Sequence, residues 1–182
     1  MSTTGRTLIV LAHPDRAASR VNAALTAAGE AVGVTVRDLH ALYPDRRIDV
    51  GAEQELLRTH DRVILQFPVH WFAVPYLLKQ WLDEVLTYGW AYGPGGDALR
   101  GKTLQLVVST GMKDDEYTPA GRATRALEDL LSPLQATAAF TGMRYAPPLV
   151  LHGTRWLSDT ELDRHVRRYR DLLTAVPSPV AA

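Results

Sequence analysis

Cysteine is absent from the 182 residues of this chain. The absence excludes disulfides, thiolate nucleophiles and cysteine-ligated zinc or iron–sulfur sites, and it removes any need for an oxidising compartment. Neither sign of charge is in excess, because 20 basic residues are balanced by 20 acidic ones. Zero net charge provides no cationic field of the kind that favours nucleic acid or an anionic membrane, so neither is an expected partner.

Long apolar runs are also missing. The stretch from Leu8 to Ala12, with one arginine before it, is far shorter than a signal-peptide core or a membrane span. We therefore expect a cytoplasmic protein. The histidines lack metal-binding spacing such as H-E-x-x-H, and there is no G-x-S-x-G nucleophile elbow. Metal-dependent and serine-hydrolase chemistries are not expected.

Apolar runs alternate with helical periodicities along the chain, which predicts an α/β protein with a doubly wound parallel sheet. The predicted strands are 7–12, 34–39, 62–67, 103–109 and one within 143–152. The predicted helices are 19–33, 52–59, 74–86, 122–141 with a kink or break at Pro133, and one opened by a capping box at 158–161. With 46% hydrophobic residues, the length fits one core. We predict a single domain over 1–182, with an ordered core of about 6–176 and a disordered tail from Pro177.

The stretch Gln66-Phe67-Pro68-Val69-His70-Trp71-Phe72 joins the third predicted strand to a helix. Pro68 ends the strand because proline lacks the amide that a sheet ladder needs. Trp71 and Phe72 then follow the carboxyl end of the strand, where open α/β sheets bind ligands. Taken alone, these aromatics are equally consistent with core packing beneath a turn. The next helix has a complete apolar face without them, which favours a loop position and a flat ligand such as a flavin.

The loop 13–22 leads from the first strand into a helix N-terminus, which predicts a phosphate site. Unpaired amides and the helix dipole favour an anion there, and His13, Ser19, Arg20 and Asn22 can add donors. An ordinary capped helix beside a polar loop is the competing interpretation. The loop lacks the G-x-G-x-x-G pattern, which weighs against Rossmann-type binding of a nicotinamide cofactor.

A third loop, Ser109-Thr110-Gly111-Met112, leaves the fourth strand at the same sheet edge. Its glycine lets the backbone approach a flat ligand closely, although a plain strand-to-helix turn would look the same. Tyr117 follows, and its phenol can donate a hydrogen bond to charge that develops on a reduced ring. A surface tyrosine explains this residue equally well.

Residues 96–103 match the nucleotide-binding P-loop pattern G-x-x-x-x-G-K-[ST]. A P-loop follows a strand and opens a helix, whereas this segment follows a glycine-rich loop and runs into a strand. ATP or GTP binding is therefore not expected.

Together these motifs resemble the flavodoxin-like NAD(P)H:quinone oxidoreductase family, which includes the ancillary oxidoreductase subunits of bacterial glutathione-gated potassium-efflux systems. The resemblance spans nearly the whole chain. It is carried by Ala12-His13-Pro14, residues 19–22, Leu42-Tyr43-Pro44-Asp45, residues 66–81, Gly89-Trp90-Ala91-Tyr92-Gly93 and residues 133–137. The Tyr-Pro-Asp turn and the Gly-Trp-Ala-Tyr-Gly block resemble the efflux-associated branch. The implied fold is a flavodoxin-like, doubly wound, five-stranded parallel sheet with helices on both faces.

The resemblance implies an FMN cofactor, with FAD as the alternative. Its phosphate would be bound by His13, Ser19, Arg20, Val21 and Asn22. Its ring would rest on Pro68, Val69, His70 and Trp71 and on Ser109, Thr110, Gly111 and Met112. Trp71, Phe72, Tyr92 and Tyr117 would wall the substrate pocket, with Tyr117 as the catalytic hydrogen-bond donor. The mammalian reductases that this chain resembles carry a histidine six positions after that tyrosine, where this chain has Ala123; backbone amides or Lys113 are the remaining donors.

The implied function is that of a flavin-dependent NAD(P)H dehydrogenase (quinone), with two-electron hydride transfer from NAD(P)H to flavin to quinone at one shared site. The alternative is a regulatory subunit that docks on a potassium-efflux transporter at the inner face of the membrane, its redox activity secondary. A one-electron carrier fits less well, because such carriers are markedly acidic. The resemblance also implies a homodimer with sites at the interface. NADH versus NADPH and FMN versus FAD stay open here, the compact length favouring FMN.

Overall fold

The structure is a computed structural model that describes residues 6–175; the predicted tail from Pro177 lies outside them. Five strands form one parallel sheet in the order β2-β1-β3-β4-β5. The strands are β1 Thr7–Leu11, β2 Thr35–Asp38, β3 Arg62–Pro68, β4 Thr103–Ser109 and β5 Arg144–Leu151. The central strands β1, β3 and β4 are buried almost throughout, as expected for apolar runs covered on both faces. The predicted α/β parallel sheet is confirmed.

Six α-helices lie within residues 6–175. They are α1 Arg20–Ala31, α2 Leu39–Leu42, α3 Val50–Thr59, α4 Tyr76–Val85, α5 Leu127–Phe140 and α6 Asp159–Thr174. Helices α1 and α6 pack together on the face of the sheet that carries Ile9 and Ile64. Leu8 and Leu65 point to the opposite face, into a second buried cluster that contains side chains of α3, α4 and α5. The sheet is therefore covered on both faces.

Helix α5 differs from its predicted extent of 122–141 in two respects. It begins at Leu127, because the Ala123 amide bonds the Glu116 carbonyl at 3.0 Å and Thr124 has φ of 55°, which a helix does not accept. It also continues through Pro133, so that of the predicted kink or break the break is excluded. The Asp129 carbonyl, which loses its helical partner to the proline, accepts the Ser132 hydroxyl at 2.7 Å.

A fully buried carboxylate joins β2, α3 and α4. Glu53 Oε1 accepts from Arg37 Nη2 at 2.5 Å and from the Tyr43 hydroxyl at 2.6 Å, while Oε2 accepts from Trp81 Nε1 at 3.0 Å. Burial and the neighbouring Glu53 raise the pKa of Tyr43 to about 12. The cluster satisfies a charge that would be costly to bury alone, and it fixes the Leu42–Asp45 turn.

Residues 96–103 form turns that lead into β4, so the P-loop interpretation is excluded by the order of elements. None of the helices within residues 6–175 has the length and apolar character needed to span a bilayer.

Candidate functional site

A cleft of about 550 Å³ lies at the edge of the sheet where the parallel strands have their carboxyl ends. The loops after β1, β3, β4 and β5 contribute to its walls. Its lining residues are His13, Asp15, Ala18, Ser19, Arg20, Val21, Asn22, Pro68, Val69, His70, Ser109, Gly111, Thr154 and Arg155. The structure thus brings together most of the side chains that the sequence predicts for a flavin.

The N-terminus of α1 forms one end of this cleft. Ser19 is the N-cap, and its hydroxyl accepts the Asn22 amide at 3.2 Å. Within the described residues, the amides of Arg20 and Val21 have no acceptor. Two free amides at the positive end of a twelve-residue helix suit the oxygens of a phosphate.

His13 lies beside this helix terminus. Its Nδ1 accepts the Asp15 amide at 3.1 Å, which leaves Nε2 as the protonated nitrogen of the neutral ring. Burial, assisted by His70, lowers the pKa of His13. The imidazole is therefore a neutral hydrogen-bond donor at pH 7 rather than a counter-charge.

Arg20 lines the cleft, but its guanidinium makes its bonds elsewhere. Nη1 donates to the Leu157 carbonyl at 2.7 Å, and Nη2 pairs with the Asp159 carboxylate. Both acceptors belong to the loop between β5 and α6 or to the first turn of α6. The predicted phosphate donor is thus occupied in holding a neighbouring loop.

The β3–α4 loop supplies a second wall. Pro68 pairs with Ser109 across the sheet, and the Val69 amide donates to the Ser109 carbonyl at 2.9 Å. Two reciprocal bonds of 3.0 Å between His70 and Ala73 then close a two-residue turn over Trp71 and Phe72, which we call the aromatic turn.

Both residues of the aromatic turn are in the left-handed region, with φ of 47° and 62°. Trp71 is 94% exposed and Phe72 is 43% exposed. Positive φ at both central positions is typical of two-residue hairpin turns built from Asn and Gly. Bulky aromatics in this conformation are strained, and such strain clusters at ligand-binding segments.

The β4 loop forms the third wall. Thr110 is buried, and its hydroxyl donates to the Met112 carbonyl at 2.7 Å. Neither the Gly111 nor the Met112 amide has an acceptor among residues 6–175. Free amides beside the cleft can bind the polar edge of a flat ring.

Several predicted residues lie outside the cleft lining. Thr110 and Met112 belong to the β4 loop but are not among the lining residues, and Trp71 and Phe72 lie on the aromatic turn. Tyr92 lies on another groove, against Phe140 at a ring distance of 5.1 Å. Tyr117 is 7% exposed, with its ring 5.5 Å from that of His152, so it is not a surface tyrosine. Ala123 is buried, and the Lys113 ammonium lies over the ring of Trp156 at 5.5 Å.

The cleft is connected to the interior by a buried polar chain, defined here as Ser19, Asn22, Ser109, Gln66 and Tyr169. Asn22 Nδ2 donates to the hydroxyls of Ser19 and Ser109, at 3.3 and 3.1 Å. Gln66 Nε2 donates to Asn22 Oδ1 at 3.4 Å, and the Tyr169 hydroxyl donates to Gln66 Oε1 at 3.0 Å. Burial raises the pKa of Tyr169, which keeps its hydroxyl a donor.

Sequence reasoning missed the lining residues Thr154 and Arg155, while Asp15 and Ala18 lie within the predicted phosphate loop 13–22 without having been singled out as ligands. Asp15 and Ala18 form the turn before α1, where Asp15 Oδ1 accepts the Ala18 amide at 3.0 Å. Thr154 donates its hydroxyl to the Thr110 carbonyl at 3.1 Å. The parallel order of the sheet was a usable signal, because it brings the loop after β5 to the same edge as the others. No group of three or more histidine, aspartate or glutamate side chains in the described part of the chain is arranged to hold a metal ion.

The architecture and the cleft define a class of protein: a flavodoxin-like α/β domain with a ligand site at the carboxyl edge of its sheet. The family whose members share the flavodoxin-like fold (Flavodoxin_2) matches residues 5–173. The chain belongs to this family.

Several individual proteins are similar to this chain over more than nine-tenths of its length. The glutathione-regulated potassium-efflux system ancillary protein KefF of Klebsiella aerogenes is 45% identical over 167 residues, which cover 91% of this chain and 93% of that protein. General stress protein 14 of Treponema denticola, solved in complex with FMN, is 43% identical with a TM-score of 0.89, over 94% of this chain and 99% of that one. An NADPH-quinone reductase from P. pentosaceus is 35% identical with a TM-score of 0.86, over 94% and 99% of the two chains.

Proposed function

We propose that this protein is an FMN-dependent NAD(P)H:quinone oxidoreductase, that is, an NAD(P)H dehydrogenase (quinone). The observation that carries the proposal is the convergence of a capped helix terminus with free amides and two loop walls on one cleft. The FMN complex of the Treponema denticola relative and the quinone reductase from P. pentosaceus support the cofactor and the substrates.

The residues present fit FMN. The Arg20 and Val21 amides and the His13 imidazole would bind the phosphate, with the Ser19 hydroxyl and Asn22 holding the turn in place. Pro68, Val69, His70 and Trp71 and the β4 loop residues Ser109, Thr110, Gly111 and Met112 would hold the ring. When bound, the isoalloxazine supplies two-electron transfer between NAD(P)H and a quinone.

The protein's own contribution is orientation, exclusion of water and hydrogen bonding at the ring edge. Trp71 and Phe72 of the aromatic turn would form the substrate walls, whereas Tyr92, which lies on another groove, is not assigned to them. We assign Tyr117 the role of hydrogen-bond donor. Burial raises the pKa of its hydroxyl, so the proton stays available at neutral pH. Tyr117→Phe should lower kcat about tenfold or more and leave FMN binding unchanged. If FMN affinity falls by the same factor as kcat, the assignment of Tyr117 is refuted.

The test of the function is the visible spectrum of the purified protein with added FMN, followed by anaerobic addition of NADPH and then of 1,4-benzoquinone. Bound-flavin bands that bleach with NADPH and return with quinone are the expected result. Flavin that the protein never retains refutes the proposal. Bands that persist after NADPH addition refute NADPH as donor, and NADH is then tested in the same way.

We further propose that the protein is a homodimer. Helices α4 and α5 enclose an apolar groove of about 800 Å³, lined in part by Leu82, Leu130 and Leu134. Phe140, 71% exposed, lies in the groove, and Tyr88, 68% exposed, contacts the ring of Tyr92 edge to face beside it. Exposed apolar surface of this kind marks association sites.

Phe140→Asp should convert the dimer to monomer in sedimentation analysis. The matched control is Trp156→Asp, which changes an exposed aromatic outside the groove and should leave the dimer intact. A wild-type monomer at micromolar concentration would refute the dimer.

The relation to KefF supports a second candidate function, in which a cytoplasmic protein binds the inner-face domain of a potassium-efflux transporter. Potassium efflux from cells that lack this chain decides between the two. If efflux is lost on deletion and a flavin-free variant restores it, docking is the main role. If efflux is unchanged on deletion, the docking function is refuted.

A further inference from the structure

The cleft needs a counter-charge for a phosphate, and its lining residues provide few. His13 is neutral at pH 7, and Asp15 adds a negative charge. Arg20 is paired with the Asp159 carboxylate. Arg155 is the remaining cation of the lining, and within residues 6–175 no carboxylate lies at ion-pair distance from it.

The fold places Arg155 near the helix terminus of α1. It lies in the loop from β5 to α6, and α6 packs against α1 on the same face of the sheet. Its Nε is 3.8 Å from the position that a Cβ on Gly111 would occupy, so the side chain lies against the bare backbone of the β4 loop. Arg155 therefore lines the same cleft as Arg20 and Val21, whose amides are free.

Arg20 holds this loop. Its bonds to the Leu157 carbonyl and the Asp159 carboxylate fix the segment two and four residues after Arg155. Thr154 fixes the other side, with its amide and hydroxyl 3.0 and 3.1 Å from the Thr110 carbonyl. The loop that carries Arg155 is thus anchored on both flanks.

We propose that Arg155 supplies the positive charge that binds the cofactor phosphate, and that Arg20 is a positioning residue that acts through the β5–α6 loop. The inference rests on the proposed flavin function and refines it, because it transfers the charge role from the arginine in the phosphate loop to one in the loop that follows the edge strand β5. A guanidinium at this position would pair with the phosphate, which FMN has and riboflavin lacks, and would therefore favour FMN over riboflavin.

The experiment is a fluorescence-quenching titration of the apoprotein with FMN and, separately, with riboflavin. Arg155→Met should weaken FMN binding by about tenfold, the effect of one charge-assisted hydrogen bond, and leave riboflavin binding within about twofold. Arg155→Lys should recover part of the loss. Arg167→Met, which removes an exposed arginine of α6 outside the cleft, is the matched control and should change neither constant.

Arg20 is tested by a double-mutant cycle. If Arg20 acts through Arg155, the loss of FMN affinity in the double variant Arg20→Met/Arg155→Met should be smaller than the product of the two single losses. Fully multiplicative losses would mean that Arg20 contacts the phosphate directly, and would overturn its positioning role.

If Arg155→Met weakens FMN and riboflavin binding equally, or weakens neither, the proposed role of Arg155 is overturned, while the flavin function stands. A wild-type protein that binds neither flavin would refute the function and this role together. The thermal midpoint of each apoprotein shows that the variants are folded.

Discussion

The aromatic turn stores strain that a substitution can release. Trp71 and Phe72 occupy the left-handed region in succession, which costs about 1–2 kcal/mol for each non-glycine residue. Asn and Gly accept this conformation readily and form the preferred two-residue hairpin turn. The double variant Trp71→Asn/Phe72→Gly should therefore relieve about 2–4 kcal/mol.

Two losses oppose this gain. Phe72 is 43% exposed, so its partial burial is worth about 1 kcal/mol, and glycine adds about 0.5–1 kcal/mol of chain entropy. Trp71, at 94% exposed, has almost no burial to lose. The apoprotein variant should thus be more stable than the wild type by up to about 2.5 kcal/mol, and by about 1 kcal/mol at the middle of these ranges, which corresponds to a rise in Tm of about 2–4 °C.

Urea denaturation of the two apoproteins measures the difference directly. Trp156→Asn is the control, since it removes a largely exposed tryptophan whose φ is not positive, and it should bring no gain. An aromatic-turn variant that is less stable than wild type would refute the strain argument. The variant should also lose quinone reduction if the turn forms a substrate wall, so that stability and activity move in opposite directions.

Other perturbations follow from buried groups. Glu53→Gln leaves the partly buried Arg37 guanidinium without its counter-charge and should destabilise the protein by about 3 kcal/mol in urea denaturation; a change below about 1 kcal/mol would contradict the charge assignment. Tyr169→Phe leaves Gln66 Oε1 unsatisfied and should cost about 1–3 kcal/mol, with FMN affinity measured alongside. His13 and His40 have pKa values lowered chiefly by burial, so the unfolded chain binds more protons below pH 6.5 and stability should fall as the pH drops from 7 to 5. A flat urea midpoint over that range would contradict the burial of these histidines.

Local patterns predicted much of the fold. The strands were placed to within a residue or two, because continuous apolar runs and their flanking turns are local signals. The N-cap at Ser19 and the capping box at Ser158 are confirmed for the same reason. The start of α5 was wrong because Gly121 packs against the Glu116 backbone, where an added Cβ would lie 2.4 Å from the carbonyl oxygen. That contact arises from the folded packing of the segment, and the helical periodicity of the sequence does not predict it.

The sequence predicted the cleft residues in loops that directly follow a predicted strand. It did not predict contacts between segments that are distant in the chain. Arg155 was not predicted, because its loop is bound by Arg20 through the Leu157 carbonyl, a contact between residues more than a hundred positions apart in the sequence. Glu53 occupies an ordinary position in a helical pattern, and only the packing of Arg37, Tyr43 and Trp81 around it shows that it is buried. The tight aromatic turn was unpredictable because tryptophan and phenylalanine are not turn-forming residues.

The buried polar chain links ligand binding in the cleft to the region around Tyr169 in helix α6. Uncharged donors and acceptors in a dry interior have few alternative arrangements, so ordering one end restricts the other. A ligand that immobilises Ser19 would thereby damp local opening around Tyr169, in a helix whose residues do not line the cleft. Amide hydrogen exchange in the second half of α6 should slow when FMN binds, which would make this helix a remote reporter of cofactor loading.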